Sequence, residues 1–187
     1  MRFAREIAES HVIPAVRSLD HLAAAVAAPS RIVYLLTGTV GNVGALCVQT
    51  RDGGKLPVVN IDLLSGLSSD AAAVAFLAAS GAAGIISTHP AALHAARGCA
   101  IAAIQRSFII DSQALSNSVR ALERFEPDAV ELLPALVAPR ALPAIRAARP
   151  HVPLIAGGMI DTLSEIDALV TAGIDAVSVS DPALWIF

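Results

Sequence analysis

Short apolar runs recur along the chain, and the stretches between them carry the marks of helices. The runs are Val12–Val16, Ile32–Leu36, Pro57–Leu63, Gly84–Thr88, Ala100–Arg106, Ala129–Leu133, Pro153–Ala156 and Ala176–Ser180. Each is four to seven residues long, the length of a strand and too short for a buried helix. Helices are predicted over Ser18–Ala27, Gly41–Thr50, Ser69–Ala79, Pro90–Arg97, Asp111–Arg124, Pro139–Ala148 and Thr162–Ala172. Ser18 and Thr162 offer side-chain oxygens to the free N–H groups of a first turn, and Glu165 completes a capping box with Thr162. Pro90 suits a first helical position, where no N–H is needed. Gly81, Gly98 and Gly173 follow helical segments, where a chain leaves through a left-handed conformation.

Strands alternating with helices imply parallel pairing, because each crossover helix returns the chain to the same end of the sheet. Eight such units predict closure. The expected class is α/β, a (β/α)8 TIM-barrel-like fold in a compact single domain over residues 1–187. The chain is shorter than the roughly 250 residues usual for that fold, and an open doubly wound sheet is the alternative. A dinucleotide-binding sheet carries a Gly-rich loop after its first strand. Here Val12–Val16 runs into Arg17-Ser18-Leu19-Asp20, with neither GxGxxG nor GxxxxGK[ST].

Composition narrows the function classes. The chain is 55% apolar and 16% charged, the opposite of a disordered protein. No apolar run reaches the roughly 18 residues of a membrane span, and Met1–Glu6 lacks the apolar core of a signal peptide. Cytoplasmic residence without a membrane partner is expected. The net charge is -3, with twelve arginines and one lysine, so the whole molecule does not attract nucleic acid by bulk charge. Cys47, Cys99 and the five histidines show no metal-ligand spacing, and buried free thiols with no metal site are expected. Lys55 follows Asp52-Gly53-Gly54 and precedes a strand, the wrong end of a barrel strand for Schiff-base chemistry.

The polar residues that break the apolar runs are the candidate chemistry. The seventh run ends in Gly157-Gly158 and the eighth in Ser180, a pair of strand ends that can cradle a phosphate on backbone N–H groups. An ordinary strand-to-helix turn is the competing reading. In the third run Asn60 and Asp62 share a face by alternation. Thr88 closes the fourth run, Arg106 the fifth, and Glu131 lies inside the sixth. Charges in such apolar strands are costly alone, so Asp62, Arg106 and Glu131 should pair with one another or face water and ligand. Arg17, just after the first strand, joins them, binds a phosphate or is solvated. Asp62 and Glu131 have the chemistry of a general acid and base, but no nucleophile with an adjacent base is visible.

Five phrases stand in a known order: Asn60-Ile61-Asp62-Leu63-Leu64-Ser65-Gly66-Leu67, Gly84-Ile85-Ile86-Ser87-Thr88, Ile104-Gln105-Arg106-Ser107-Phe108-Ile109-Ile110-Asp111-Ser112, Pro127-Asp128-Ala129-Val130-Glu131-Leu132-Leu133-Pro134 and Ala156-Gly157-Gly158. With Ile13-Pro14-Ala15-Val16-Arg17 and Leu184-Trp185, they make the chain resemble the glycerol-3-phosphate-responsive antiterminator family, the glycerol uptake operon antiterminator regulatory proteins. The resemblance runs from Val12 to Trp185. Where that family commonly reads His-Val-Asp-Leu, this chain has Asn60-Ile61-Asp62-Leu63, and Asn keeps hydrogen bonding without a titratable group.

The resemblance implies a barrel that binds glycerol 3-phosphate as an effector, with no catalytic residues and no cofactor. It also implies binding to the leader of messenger RNA, which prevents premature termination of transcription of glycerol-utilisation genes. On that reading Gly157, Gly158 and Ser180 hold the phosphate, and Asp62, Arg106 and Glu131 face the glycerol hydroxyls or support them. Arg17, Asn60 and Thr88 are additional ligand candidates. Arg120, Arg124, Arg140, Arg146 and Arg149 either form an RNA-facing patch or lie on solvated helix faces, and a homo-oligomer is compatible with this picture. Two alternatives stand: a barrel enzyme acting on a small phosphorylated metabolite, and a sugar-phosphate sensor without RNA binding.

Overall fold

Each predicted run forms a strand, and side-chain alternation along the strands builds two cores. In a computed structural model, which describes residues 2–186, the strands are β1 (Val12–Val16), β2 (Ile32–Leu35), β3 (Leu56–Asn60), β4 (Gly84–Ser87), β5 (Ala102–Phe108), β6 (Ala129–Leu133), β7 (Leu154–Gly157) and β8 (Ala176–Val179). They are all parallel and close in sequence order into a barrel, β8 pairing back onto β1. Ile13, Ala15, Ile32, Tyr34, Val58, Ile86, Ile104, Ala129, Ile155 and Ala176 fill the interior. Residues one step out of phase, such as Val33, Val59, Ile85, Val130 and Val177, pack outward against the helices.

The helices are α1 (Arg2–Glu9), α2 (Leu22–Ala27), α3 (Val43–Asp52), α4 (Ala71–Ala79), α5 (Pro90–Gly98), α6 (Ser112–Arg124), α7 (Ala138–Ala148) and α8 (Leu163–Thr171). Helix α1 is an element the periodicity analysis passed over. Phe3 and Ile7, four apart on one face, pack onto the interior cluster beside Leu56, the first residue of β3. The helix therefore floors the barrel at the N-terminal ends of the strands. Among the described residues no α-helix follows β8. A 3-10 turn over Pro182–Leu184 leads instead to Trp185, which is buried and donates Nε1–H to the Val179 carbonyl at 2.8 Å. Thr162 and Glu165 form the expected capping box on α8, and Asp70 and Asp111 cap α4 and α6. Among the described residues no helix is long and apolar enough to cross a membrane.

Several ends differ from the expectation, each for a local reason. Strand β3 stops at Asn60 and not Leu63, because the Asn60 carboxamide accepts the Asp62 N–H at 3.1 Å and starts a 3-10 turn over Ile61–Leu63. Strand β5 begins two residues late because α5 exits through Ala100 at φ 57, with Ile101 N–H bonded to the Ala96 carbonyl at 3.1 Å. The first crossover starts as a 3-10 turn over Leu19–His21, capped by Ser18, before α2. Cys47 is buried and Cys99 half-buried, both free. Burial pushes the Cys47 thiol up to about 11, and Arg51 draws it down by less.

Ala100 sits where glycine is the favoured exit residue, since a side chain in the left-handed region costs about 1–2 kcal/mol. Ala100→Gly should stabilise the fold by about 0.5–1 kcal/mol, less than the strain relieved because glycine loses more chain entropy. The expected readout is a melting temperature raised by about 2 °C in a thermal scan.

Candidate functional site

Continuing the interior alternation by one more step places a polar ring at the C-terminal mouth of the barrel. Ala15 leads to Arg17, Val58 to Asn60, Ile86 to Thr88, Ile104 to Arg106, Ala129 to Glu131, Ile155 to Gly157, and Ala176 to Ser178 and Ser180. Of the sequence-predicted site residues, Asn60, Arg106, Glu131 and Gly157 lie on strands in this phase, Arg17, Thr88, Gly158 and Ser180 lie just beyond strand ends, and Asp62 lies on the turn after β3. Asn60 and Glu131 are buried, Arg106 is half-buried, and Arg17, Thr88, Gly158 and Ser180 are exposed at the rim.

The centre of the ring is an ion pair taken almost wholly out of water. Arg106 Nε donates to Glu131 Oε2 at 2.6 Å across the β5–β6 register, with side-chain exposures of 9% and 0%. Ser178 Oγ donates to the other carboxylate oxygen, Oε1, at 2.7 Å from β8. Gly157 makes room for this group: a Cβ there would lie 2.4 Å from Ser178 Oγ and 3.0 Å from Glu131 Oε1. The glycine predicted as a phosphate ligand is thus required by packing within the barrel. The Arg106 Nη nitrogens have no protein partner among the described residues. Tyr34, wholly buried on the interior face of β2, has a hydroxyl with no partner among those residues. Burial raises its pKa well above the ordinary phenol value, the Glu131 charge adds to that, and Arg106 opposes it.

Of the three charged residues expected to pair with one another or to face water and ligand, Arg106 and Glu131 pair, and Asp62 stands apart. It lies on the 3-10 turn after β3, not on the strand. Its Oδ1 accepts from Ser69 Oγ at 2.8 Å and Ser87 Oγ at 2.7 Å, and its Oδ2 accepts from Thr88 N–H at 2.7 Å and Thr88 Oγ1 at 2.9 Å. Partial burial pushes this carboxyl up, but the bonds from Ser87, Thr88 and Ser69 outweigh it, and the pKa falls below the usual value. Asp62 therefore clamps the segments after β3 and β4, and holds Thr88 at the mouth. Ser178, Ser69, Ser87 and Tyr34 were missed by the sequence reading. Ser178 had a signal there in sharing a strand face with Ser180, and Ser87 in closing the fourth run beside Thr88.

At the rim Gly158 and Met159 both have left-handed backbone, φ 80 and 60, and the Gly158 carbonyl accepts the Ala135 N–H at 3.2 Å. Among the described residues no cluster of three or more metal-ligating side chains exists. Three of the five arginines considered for an RNA-facing patch have structural bonds, Arg120 donating through Nη2 to the Asn117 carboxamide oxygen. Arg146 Nη2 meets Asp175 Oδ2 at 2.7 Å, and Arg149 Nη2 donates to the Glu123 carbonyl at 3.3 Å.

Two outcomes follow from this geometry. Arg106→Met leaves a buried carboxylate with Ser178 alone and should cost about 3–5 kcal/mol in urea unfolding, while adding Glu131→Gln should restore part of the loss. For Asp62 the sign is that of a depressed carboxyl. Its contribution is complete above the unfolded value of about 4 and is lost as pH falls through the lower folded value. Asp62→Asn should therefore destabilise by about 1–3 kcal/mol near neutrality, with a gap to wild type that narrows on acidification below about pH 4.

Comparison with known proteins places the arrangement. The family model described as glycerol-3-phosphate responsive antiterminator matches residues 12–185. A solved glycerol uptake operon antiterminator regulatory protein from Listeria monocytogenes str. 4b F2365 is 32% identical, with a TM-score of 0.86 over 93% of this chain and 94% of that one. A glycerol uptake operon antiterminator-related protein from Thermotoga maritima MSB8 is 29% identical, with a TM-score of 0.85 over 94% of this chain and 98% of that one. The uncharacterized protein YgcP of Escherichia coli (strain K12) is 29% identical over 95% of this chain and 92% of its own length. With nearly the whole barrel matched, mouth residues included, the chain belongs to the glycerol-3-phosphate responsive antiterminator family.

Proposed function

We propose that this protein is an effector-gated regulator: glycerol 3-phosphate binds at the barrel mouth and biases a surface that holds the leader of messenger RNA against premature transcription termination. The observation that carries the effector half is Arg106. Glu131 fixes its guanidinium through Nε, and both Nη nitrogens are without a protein partner among the described residues, at a mouth that also carries hydroxyl and amide groups and Arg17. Oriented donors of this kind suit a small polyol bearing an anion.

The ligand's parts divide over the ring. The Arg106 Nη groups and Asn60 face the glycerol hydroxyls. Arg17 follows β1 beside the β1–β8 seam, two residues past the position that continues the register to Ser180, and with Gly158 and Ser180 it forms the phosphate end of the site. Glu131 and Asp62 act as positioning residues, one holding Arg106 and the other Thr88. Cytoplasmic action, binding without turnover, and the absence of any cofactor belong to the same reading. The regulatory family supports it. Effector and RNA become coupled if each prefers the same arrangement of the mouth loops.

The test is a thermal scan with glycerol 3-phosphate, glycerol, phosphate and other triose phosphates. Glycerol 3-phosphate alone should raise the melting temperature markedly, by the equivalent of about 2.7 kcal/mol at a hundredfold excess over Kd, and should be recovered unchanged. Arg17→Ala, an exposed change, should abolish most of the shift without lowering the ligand-free melting temperature. A shift with a different sugar phosphate and none with glycerol 3-phosphate would sink the reading, and consumption of the ligand would turn it toward an enzyme. A leader transcript should bind more tightly with the effector present and more weakly as salt rises.

A further inference from the structure

Beside the mouth, a cavity of about 470 Å³ opens between α5 and α6 against the outer face of β5. It contains a departure from the pattern of the barrel. Most outward-facing strand residues under the helices are apolar, as at Val59, Ile85 and Val130. Two register-paired exceptions are Ser87 on β4 and Gln105 on β5. Gln105 is only 6% exposed, and α6 brings Ser118, also 6% exposed, onto its strand neighbour Ser107. Gln105 Nε2 donates to Ser107 Oγ at 3.3 Å, and Ser118 Oγ donates to the same oxygen at 2.9 Å. Two donors thus occupy Ser107 Oγ. The Gln105 Oε1 acceptor and the Ser107 hydroxyl proton have no protein partner among the described residues, and both residues line the cavity. A polar pair in a helix-covered sheet face that opens onto a cavity is free to bond what enters it.

The walls and rim restrict what that can be. Phe125, Leu93 and Pro90 supply apolar surface, and Phe108 projects at the edge with 55% exposure. The Phe125 ring is held in place by edge-on contact with His94 at 4.6 Å between centroids and by Arg97 at 4.8 Å. The lining includes Arg106, Arg124 and His94 but no carboxylate, in a chain whose net charge is -3. The occupant therefore presents a flat apolar face, an edge with adjacent donor and acceptor, and a negative charge within reach of Arg124. A nucleobase carrying a phosphate has all three.

We infer that the α5–α6 cleft is a nucleotide-binding site, with Gln105 and Ser107 reading the base edge, Phe125 and Leu93 walling the ring, and Arg124 meeting the phosphate. The chemistry is shared by a free mononucleotide and by an unstacked nucleotide of single-stranded RNA. Its connection to regulation, though not the cleft chemistry, rests on the function proposed above. The cleft shares Thr88 and Arg106 with the effector site, so the two ligands would meet a common wall.

The experiment titrates the full chain with the four ribonucleoside 5′-monophosphates and the matching nucleosides, followed by backbone amide NMR. At least one monophosphate should bind more tightly than its nucleoside and shift the β5 and α6 resonances. Gln105→Leu should weaken both about tenfold, while Arg124→Ser, an exposed change that spares the fold, should remove the preference for the phosphate. A single-stranded RNA hexamer that displaces the monophosphate assigns the cleft to RNA; failure to displace it assigns a free nucleotide, and either supports the site. No binding of any monophosphate or of the hexamer up to about 10 mM, or binding unchanged in both variants, overturns it. The glycerol 3-phosphate melting shift, measured on the same sample, separates that failure from failure of the effector reading.

Discussion

The carboxylate of Glu131 sets the terms for the rest of the mouth. It has no exposure to water, and a buried unpaired charge would be several kcal/mol unfavourable. Three other strands meet that demand. Strand β5 brings Arg106, β8 brings Ser178, and β7 contributes a residue with no side chain, because a methyl at position 157 would strike both Ser178 and Glu131. The ion pair itself joins register neighbours on β5 and β6, while the curvature of the barrel brings Ser178 onto the same carboxylate from β8, two strands away. Together these contacts orient the guanidinium at the mouth.

The second carboxylate of the mouth shows how environment divides labour between like groups. Asp62 meets no cation. It accepts four hydrogen bonds from three residues on the segments after β3 and β4, and these hold it ionised despite partial burial. Glu131 orients a cation and Asp62 braces loops, so neither is arranged as a free acid or base. Both carboxylates are thus committed to protein partners, and the rim carries cationic and neutral donors, Arg17, Thr88 and Ser180.

The ends of the barrel are closed by unlike devices. At the N-terminal end α1 sets Ile7 into the interior cluster. At the other end of the chain Trp185 stands in for an eighth outer helix, anchored on the carbonyl of the last β8 residue. The outer face of β5 is unlike the other helix-covered faces in carrying a polar network beneath a cavity. That cavity and the barrel mouth share Arg106, so a single side chain borders both.

The sequence by itself determined the class of the fold. Short apolar runs separated by capped helical segments admit few arrangements, and β6 and the α8 capping box stand where the pattern puts them. Polar residues breaking the apolar runs also singled out Asn60, Thr88, Arg106 and Glu131 as candidates, with Arg17 beside the first run, because an interrupted run is a local property of the sequence. Helix α1 was legible in the four-residue spacing of Phe3 and Ile7, but its place on the barrel floor was not. The tertiary structure decided the partners. It paired Arg106 with Glu131 and gave Asp62 to Ser69, Ser87 and Thr88, turned Gly157 from a presumed phosphate ligand into a packing requirement, and brought Ser178 to Glu131 across 47 residues. Those outcomes depend on strand register, on the curvature of the barrel and on one local turn at Asn60, and contacts between distant strands leave no spacing in the chain from which to read them.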